Sequence, residues 1–324
     1  MSESQHGALQ LRVKRIESVT PEINRYTFSA ADGSWLPPFS GGSHITVLIP
    51  SDGATRRNAY SLMSSPYDTS EYQIAVRRVD DGKRGSLAMH NNVREGDVLL
   101  AGIPANLFPV SKHARHHLFI AGGVGVTPIY AQLDELSLKG SSFELHLAVR
   151  GPEHAALGRE LEDRYGERVT LYGTDGPSSR LNASEILAGR PLGTHAYVCG
   201  PARMVDDVIG AAHAHGWSDS NIHFERFEDL GSTGDAFSVT LGRSGAVVEV
   251  SPEQSLLEAV EEAGHKLPYL CRGGACGECE TEVLELEGTI DHRDDWLSES
   301  ERATNKLILP CVSRATCTKF VINA

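Results

Sequence analysis

Apolar and polar residues alternate with a period of two in short stretches between residues 9 and 110, and glycine or proline interrupts each run. LQLRVKRIESV (9–19), INRYTFSA (23–30), SHITVLI (43–49), NAYSLMS (58–64), EYQIAVRRV (71–79) and DVLLAGI (97–103) read as strands, with one helical patch at SLAMHNNV (86–93). Strands this short and closely spaced predict a small antiparallel β-barrel. From residue 116 the texture becomes strand then helix, repeatedly: HHLFIA, FELHLAVR, RVTLYGT, HAYVCG and NIHFERF are apolar strands, and ARMVDDVIGAAHAHG is an amphipathic helix. That alternation predicts a parallel sheet with its ligand at the carboxyl ends of the strands. Past a polar, glycine-rich linker, FSVTLGRSG and AVVEVS read as a hairpin, and SLLEAVEEAG as a helix closed by Gly264.

The expected segments are 1–111 (β-barrel), 112–228 (α/β domain), 229–235 (linker) and 236–324 (a small α+β domain). A length of 324 residues accommodates such a multidomain chain. Forty-three acidic against 30 basic residues give a net charge of −13, which argues against nucleic-acid and anionic-membrane partners. MSESQHGALQ has neither a cationic start nor an apolar core, so no secretory signal is read there. No run of about 18 apolar residues occurs either, so no membrane span is expected and the cytoplasm is the expected compartment.

Cysteine placement sharpens the picture. Cys271, Cys276 and Cys279 lie in CRGGACGEC, and Cys311 follows in LPCVSRA. C-x4-C-x2-C with a distant fourth cysteine is the plant-type [2Fe–2S] arrangement. Two tetrahedral irons need two thiolates each, so a tight loop must wrap the cluster while one thiolate arrives from elsewhere. Gly273, Gly274 and Gly277 let the backbone curl in close enough for amide N–H groups to face the sulfurs. A structural zinc site, the alternative, more often shows two paired C-x2-C knuckles. Cys317 fits no place in the pattern and reads as an ordinary small residue.

AGGVGVTP lies between an expected strand and an expected helix. Thr127 is placed to cap that helix, with Pro128 in its first turn. Free N–H groups and the positive helix end there suit the pyrophosphate of a dinucleotide, although the loop is not G-x-G-x-x-G and a plain connection would look similar. YVCGPARM repeats the arrangement: a strand ends at Cys199, Gly200 and Pro201 turn the chain, and a helix begins. Two such turns at one sheet edge would make one crevice.

GGVGVTP, YVCGP and HFERF, in that order, resemble the ferredoxin–NADP+ reductase superfamily. The resemblance implies that Gly122, Gly123, Thr127 and Pro128 bind the nicotinamide dinucleotide, and that Cys199, Gly200 and Pro201 pack where nicotinamide meets a flavin. Arg57-Asn58-Ala59-Tyr60-Ser61-Leu62 resembles the family's Arg-x-Tyr-Ser motif with one extra residue. By that likeness Tyr60 packs on the isoalloxazine, Ser61 offers a hydroxyl, and Arg57, with its neighbour Arg56, supplies positive charge. Arg77, and Arg84, Gly85 and Ser86 ahead of the helical patch, are candidates for the flavin phosphate, a solvated basic turn being the alternative.

The order of barrel, nucleotide domain and C-terminal ferredoxin resembles the phthalate dioxygenase reductase family over roughly residues 8–322. Asn106-Leu107-Phe108-Pro109 and Asp291-His292-Arg293-Asp294 are further matching pieces. The resemblance implies FMN, NADH as donor, Phe227 against the flavin, a β-grasp ferredoxin fold, and a monomer. It also implies a terminal Rieske-type oxygenase as acceptor, in aromatic or related small-molecule catabolism. Gly173-Thr174-Asp175 after the third strand of the α/β domain mildly favours NADH, because an acidic residue there disfavours a 2′-phosphate. The electron path needs no general acid or base, and none is named. A stand-alone NADH oxidoreductase and a reductase serving a cytochrome P450 use similar parts and remain alternatives, as does a carrier fused to inactive nucleotide folds. From residue 232 onward 16 Asp/Glu stand against 8 Lys/Arg, so Glu278, Glu280 and their neighbours could steer a basic acceptor.

Overall fold

The computed structural model describes residues 9–51, 54–80, 85–173, 180–227, 234–252, 254–270, 272–274 and 276–324. They fall in two compact units, one ending at Glu228 and one beginning at Asp229. In the first unit, strands β1 (Leu9–Thr20), β2 (Ile23–Ala30), β3 (Ser43–Ser51), β4 (Ala54–Ser61), β5 (Tyr72–Arg77), β6 (Val98–Ala101) and β7 (Ala105–Asn106) form an antiparallel sheet. The strand order is β4-β3-β6-β1-β2-β5, with β7 on β3. Just past the end of β4 the Met63 N–H donates to the Gln73 carbonyl in β5 (2.8 Å), which curls the two outer strands towards each other. Period-two alternation sets the interior: Leu11 and Val13 of β1 are buried while Arg12 between them is exposed. Helix α1 (Gly85–Asn92) buries Ala88 and Met89, and the Tyr26 hydroxyl donates to the Met89 carbonyl at 2.9 Å.

The sheet that follows contains β8 (His116–Gly122), β9 (Phe143–Ala148), β10 (Val169–Tyr172), β11 (Thr194–Gly200) and β12 (Ile222–Arg226). It is parallel, in the order β10-β9-β8-β11-β12. Helices α2 (Thr127–Leu138), α3 (Ala156–Tyr165), α4 (Ala183–Leu187) and α5 (Ala202–Ala214) lie between its strands in the chain. The sheet changes direction between β8 and β11, so the ends of those two strands define its switch point, where open α/β sheets bind ligands. One core runs from the barrel into this sheet, joining Met63, Ala75 and Phe108 to Phe119, Tyr130 and Tyr197. The Arg25–Glu160 ion pair (2.6 Å) crosses between the same two layers.

At the opposite, amino-terminal edge of the parallel sheet, aromatic rings are stacked in a ladder. His117 lies over Tyr197 (5.7 Å between centroids), Tyr197 over His223 (4.7 Å), and His223 over His195 (5.3 Å). His195 Nδ1 and His223 Nε2 are 2.9 Å apart, a contact that needs one neutral nitrogen as acceptor. Burial pushes all three histidines below their ordinary value. The unfolded chain therefore binds protons first as pH falls, starting near about pH 6.5. The ladder's own contribution to stability should be level above pH ~7 and drop on acidification below that point until the folded histidines titrate. The buried Glu225 carboxyl of β12, raised to about 7, works in the opposite sense over the same range. Each kcal/mol lost should appear as about 2–4 °C in the melting temperature of a unit this size. A His223→Gln variant whose melting temperature follows the same course with pH as the wild type in calorimetry would remove the ladder from the account.

The second unit is a sheet in the order β14-β13-β17-β15-β16, made from β13 (Phe237–Leu241), β14 (Val247–Val250), β15 (Thr281–Asp291), β16 (Leu307–Ile308) and β17 (Arg314–Ile322). Helices α6 (Leu256–Glu262) and α7 (Glu299–Thr304) each begin with a reciprocal cap, Ser255 with Glu258 and Ser298 with Glu301. The expected hairpin is β13–β14, and the expected helix is α6.

Candidate functional site

On β4 the alternation sorts the Arg-Arg-Asn-Ala-Tyr run between two faces. Arg56, Asn58 and Tyr60 are half-buried, while Arg57 and Ala59 are exposed. The register with β3 is unbroken over this run (Ile49↔Arg56, Ile45↔Tyr60), so Arg56 rather than Arg57 stands on the Tyr60 face. The first residue of α1 meets that face. A Cβ on Gly85 would lie 2.5 Å from the Asn58 amide carbon, so the start of the helix packs directly against the Asn58 side chain. Arg56 Nε is buried and has no hydrogen-bond partner among the described residues. A buried guanidinium nitrogen beside a helix N-terminus fits an anionic group such as the flavin phosphate. Ser61, on the other face, is buried opposite His44. The Ser86 hydroxyl accepts from the Val79 N–H at 3.2 Å. Arg77 is held by Glu22 (3.1 Å), which Arg150 also approaches at 3.6 Å. Arg84 lies outside the described residues, as do Gly82, Lys83, Thr174 and Asp175.

The two glycine turns meet at the switch point. Cys199 of β11 pairs in register with Ala121 of β8. A short 3-10 turn, Gly123–Val126, then leads into α2. Thr127 is not the cap expected of it: it is the first residue of α2, and its hydroxyl donates back to the Val124 carbonyl at 2.9 Å. The tight turn supplies the bond that a capping side chain would have made, and Pro128 follows inside the first turn. A Cβ on Gly125 would lie 2.6 Å from the Cys199 carbonyl carbon and 2.8 Å from Gly200 Cα. One on Gly122 would meet Met204 Sδ at 2.8 Å and Pro201 Cδ at 3.0 Å. Gly123 adopts φ +54°, which favours glycine, with open space where a Cβ would stand. Phe227 joins the same place, its N–H donating to the Gly200 carbonyl at 3.2 Å.

Glu225 lies within the quoted HFERF segment, but no role is read for it from the sequence. In β12 it pairs in register with Cys199, and the thiol approaches its Oε2 at 3.9 Å. Burial raises the Glu225 carboxyl to about 7, an effect the thiol partly offsets, and burial beside Glu225 raises the Cys199 thiol well above its usual range. A neutral thiol and a carboxyl poised near neutrality thus stand where the two turns meet.

In the second unit Cys279 and Cys311 are buried with their sulfurs 3.3 Å apart, and Cys276 is partly exposed. Two thiolates on one tetrahedral metal at about 2.3 Å sit roughly 3.8 Å apart, so this pair needs to part by only about half an ångström to share one iron of a cluster. Gly274 and Gly277 take φ of +78° and +72°, and Arg272 takes φ +54°, so the loop coils through conformations that glycine supplies. Cys271 lies outside the described residues, and no three ligating side chains among the described residues gather as one ion would require. Cys317 is partly buried in β17.

Residues 239–316 match the 2Fe-2S iron-sulfur cluster binding domain family, and residues 105–222 match the N-terminal domain of the dimethylamine monooxygenase subunit DmmA-like family. A carnitine monooxygenase reductase subunit of Acinetobacter baumannii is 44% identical over 312 residues, covering 96% of each chain. The heme-dependent oxidative N-demethylase beta subunit of Ectopseudomonas mendocina is 44% identical over 306 residues, 94% of this chain and 96% of that one. The solved phthalate dioxygenase reductase, described as a modular structure for electron transfer from pyridine nucleotides to [2Fe-2S], superposes with a TM-score of 0.85 at 31% identity over the whole of both chains. The chain therefore belongs to the phthalate dioxygenase reductase-like family, the flavin and iron–sulfur reductase components of oxygenase systems.

Proposed function

We propose that this chain draws a hydride from NADH and delivers single electrons to an oxygenase acting on an N-methylated small molecule. The observation that carries the electron path is the seating of Gly125 on the Cys199–Gly200 backbone, which joins two dinucleotide-type turns into one crevice at the switch point of the sheet. Flavin, when bound, accepts electrons as a pair and releases them one at a time, which matches a hydride donor to a one-electron cluster. Arg56, Asn58, Tyr60, Gly85 and Ser86 would hold FMN, with Arg56 as the anion contact, while Ser61 lies on the other face of β4. Arg57 stands on the opposite face, and Arg77 is committed to Glu22. Gly122, Gly123 and the start of α2 from Thr127 and Pro128 would hold the dinucleotide phosphates. Cys199, Gly200 and Pro201 would line the nicotinamide end, with Phe227 beside them.

Cys199 stays protonated because burial and Glu225 both oppose its ionisation. It therefore presents a compact, uncharged wall rather than a nucleophile. Cys271, Cys276, Cys279 and Cys311 would ligate the [2Fe–2S] cluster. The acceptor class rests on relatives named for carnitine monooxygenase, oxidative N-demethylase and dimethylamine monooxygenase systems. A Rieske-type oxygenase is the first reading of the partner. A haem-bearing one is the second, favoured by the N-demethylase relative, and mixing the NADH-reduced chain with each partner type separates them.

The test is an anaerobic visible spectrum of the purified protein before and after stoichiometric NADH, with EPR on the reduced sample. Flavin and cluster absorption should both bleach, and a rhombic reduced-cluster signal should appear. Flavin bleaching with no cluster signal would break the exit half of the path, and a colourless, zinc-containing protein would overturn all of it.

A further inference from the structure

We propose that the indole of Trp296 is the centre of the surface through which the second unit hands electrons to its acceptor, and that the acceptor meets it with an apolar spot rimmed by basic side chains. The proposal rests on the electron path above and adds its point of exit. Trp296 lies directly on the cysteine loop: a Cβ on Gly277 would fall 2.6 Å from its Cδ2 and 2.6 Å from its Cζ2. The backbone between Cys276 and Cys279 thus runs against one side of the indole. Yet 51% of the residue remains exposed, and its Nε1–H donates to Glu280 Oε2 at 3.0 Å, beside Cys279. A large side chain fixed against the loop at one end and open to solvent over half its surface is poorly used by the fold alone.

Other exposed apolar side chains flank the same loop. Tyr269 and Leu270, immediately before Cys271, are 44% and 43% exposed. The Arg272 guanidinium sits 3.7 Å from the Tyr269 ring centroid and pairs with Glu261 at 2.5 Å, so the basic group nearest the loop is already neutralised. Glu278 and Glu280 are exposed. The indole therefore stands on the loop with a carboxylate on its N–H, and exposed Glu278 and Glu280 make that loop negative. A second copy of this chain would bring the same negative charge against itself, and nucleic acid or an anionic membrane would be repelled. A basic electron-accepting protein is the complementary occupant.

Cytochrome c, a basic haem protein, is the probe, used with the full chain carrying flavin and cluster. Trp296→Ala should raise KM for cytochrome c by about tenfold or more, as truncation of a central interface tryptophan does. NADH–ferricyanide turnover and cluster reduction by stoichiometric NADH should keep their wild-type values. Added salt should raise KM in wild type and variant alike, because the carboxylates remain. An unchanged KM for cytochrome c overturns the proposal, as does an equal loss with ferricyanide. Should Trp296→Ala lose its cluster, which its visible spectrum reports, Trp296→Leu keeps bulk over Gly277, and its KM decides in the same way. Failure of NADH to reduce the cluster in the wild-type protein, read before cytochrome c is added, would instead sink the electron path itself.

Discussion

Cys311→Ser is expected to stop electron delivery to cytochrome c while NADH continues to reduce ferricyanide. Cys311 reaches the cysteine loop from the turn between β16 and β17, and its sulfur is 3.3 Å from that of Cys279. Serine offers a harder, poorly ionised oxygen in place of a thiolate, which iron–sulfur chemistry does not accept as an equal ligand. Loss of an outer-shell partner alone costs a metal site roughly 10–100-fold, so loss of a ligand should exceed that range. The reduced-cluster EPR signal should fall in step with the cytochrome c rate. Both cysteines are also packed in the core of the second unit with Leu256, Leu309 and Val312, so a lower melting temperature for that unit should accompany the change. Full cytochrome c turnover with the EPR signal lost would mean that the cluster is not the way out, and full turnover with the signal intact would remove Cys311 from the ligand set.

Legibility in the sequence followed how local each feature is. The cysteine run, GGVGVTP and YVCGP announce themselves because their chemistry is set by neighbours in the chain. The Arg56 and Arg57 faces are not announced, since only the pairing of β3 with β4 decides which guanidinium shares the face of Tyr60. The role of Glu225, quoted only as part of HFERF, is hidden for the same reason: its significance comes from sitting opposite Cys199 across the β11–β12 pairing. Strand β15 escaped the reading because of its burial. Of its eleven residues only Thr281 and Ile290 are buried, so TEVLELEGTID shows no clean apolar face. Thr127 went wrong at the scale of a single turn, where a 3-10 segment replaces a side-chain cap.

Gly125→Ala is expected to slow reduction by NADH about 10²-fold, with ferricyanide and with cytochrome c alike. The added methyl would lie 2.6 Å from the Cys199 carbonyl carbon and 2.8 Å from Gly200 Cα, and both atoms are backbone. Neither can rotate away. Strand β11 is held in register with β8 and β12 on either side, so the Gly123–Val126 turn must lift instead. Ordinary carbon contacts begin near about 3.5 Å, which makes the required lift close to 1 Å. Overpacking of this kind costs about 1–3 kcal/mol, enough to weaken the fold without abolishing it. A displacement of that size at a site that positions reactants costs about 10²-fold in rate. Gly210→Ala is the matched control. Gly210 lies exposed on α5 with nothing within 4 Å of a new Cβ, so alanine there should add up to about 1 kcal/mol of helix stability. Stopped-flow bleaching of the flavin by NADH, at matched flavin content, reads the difference directly. A wild-type rate in Gly125→Ala would show that contact between the two turns does not set the hydride step. A slow entry shared by both acceptors, set against the single-acceptor defect of Cys311→Ser, places the crevice upstream of the cluster.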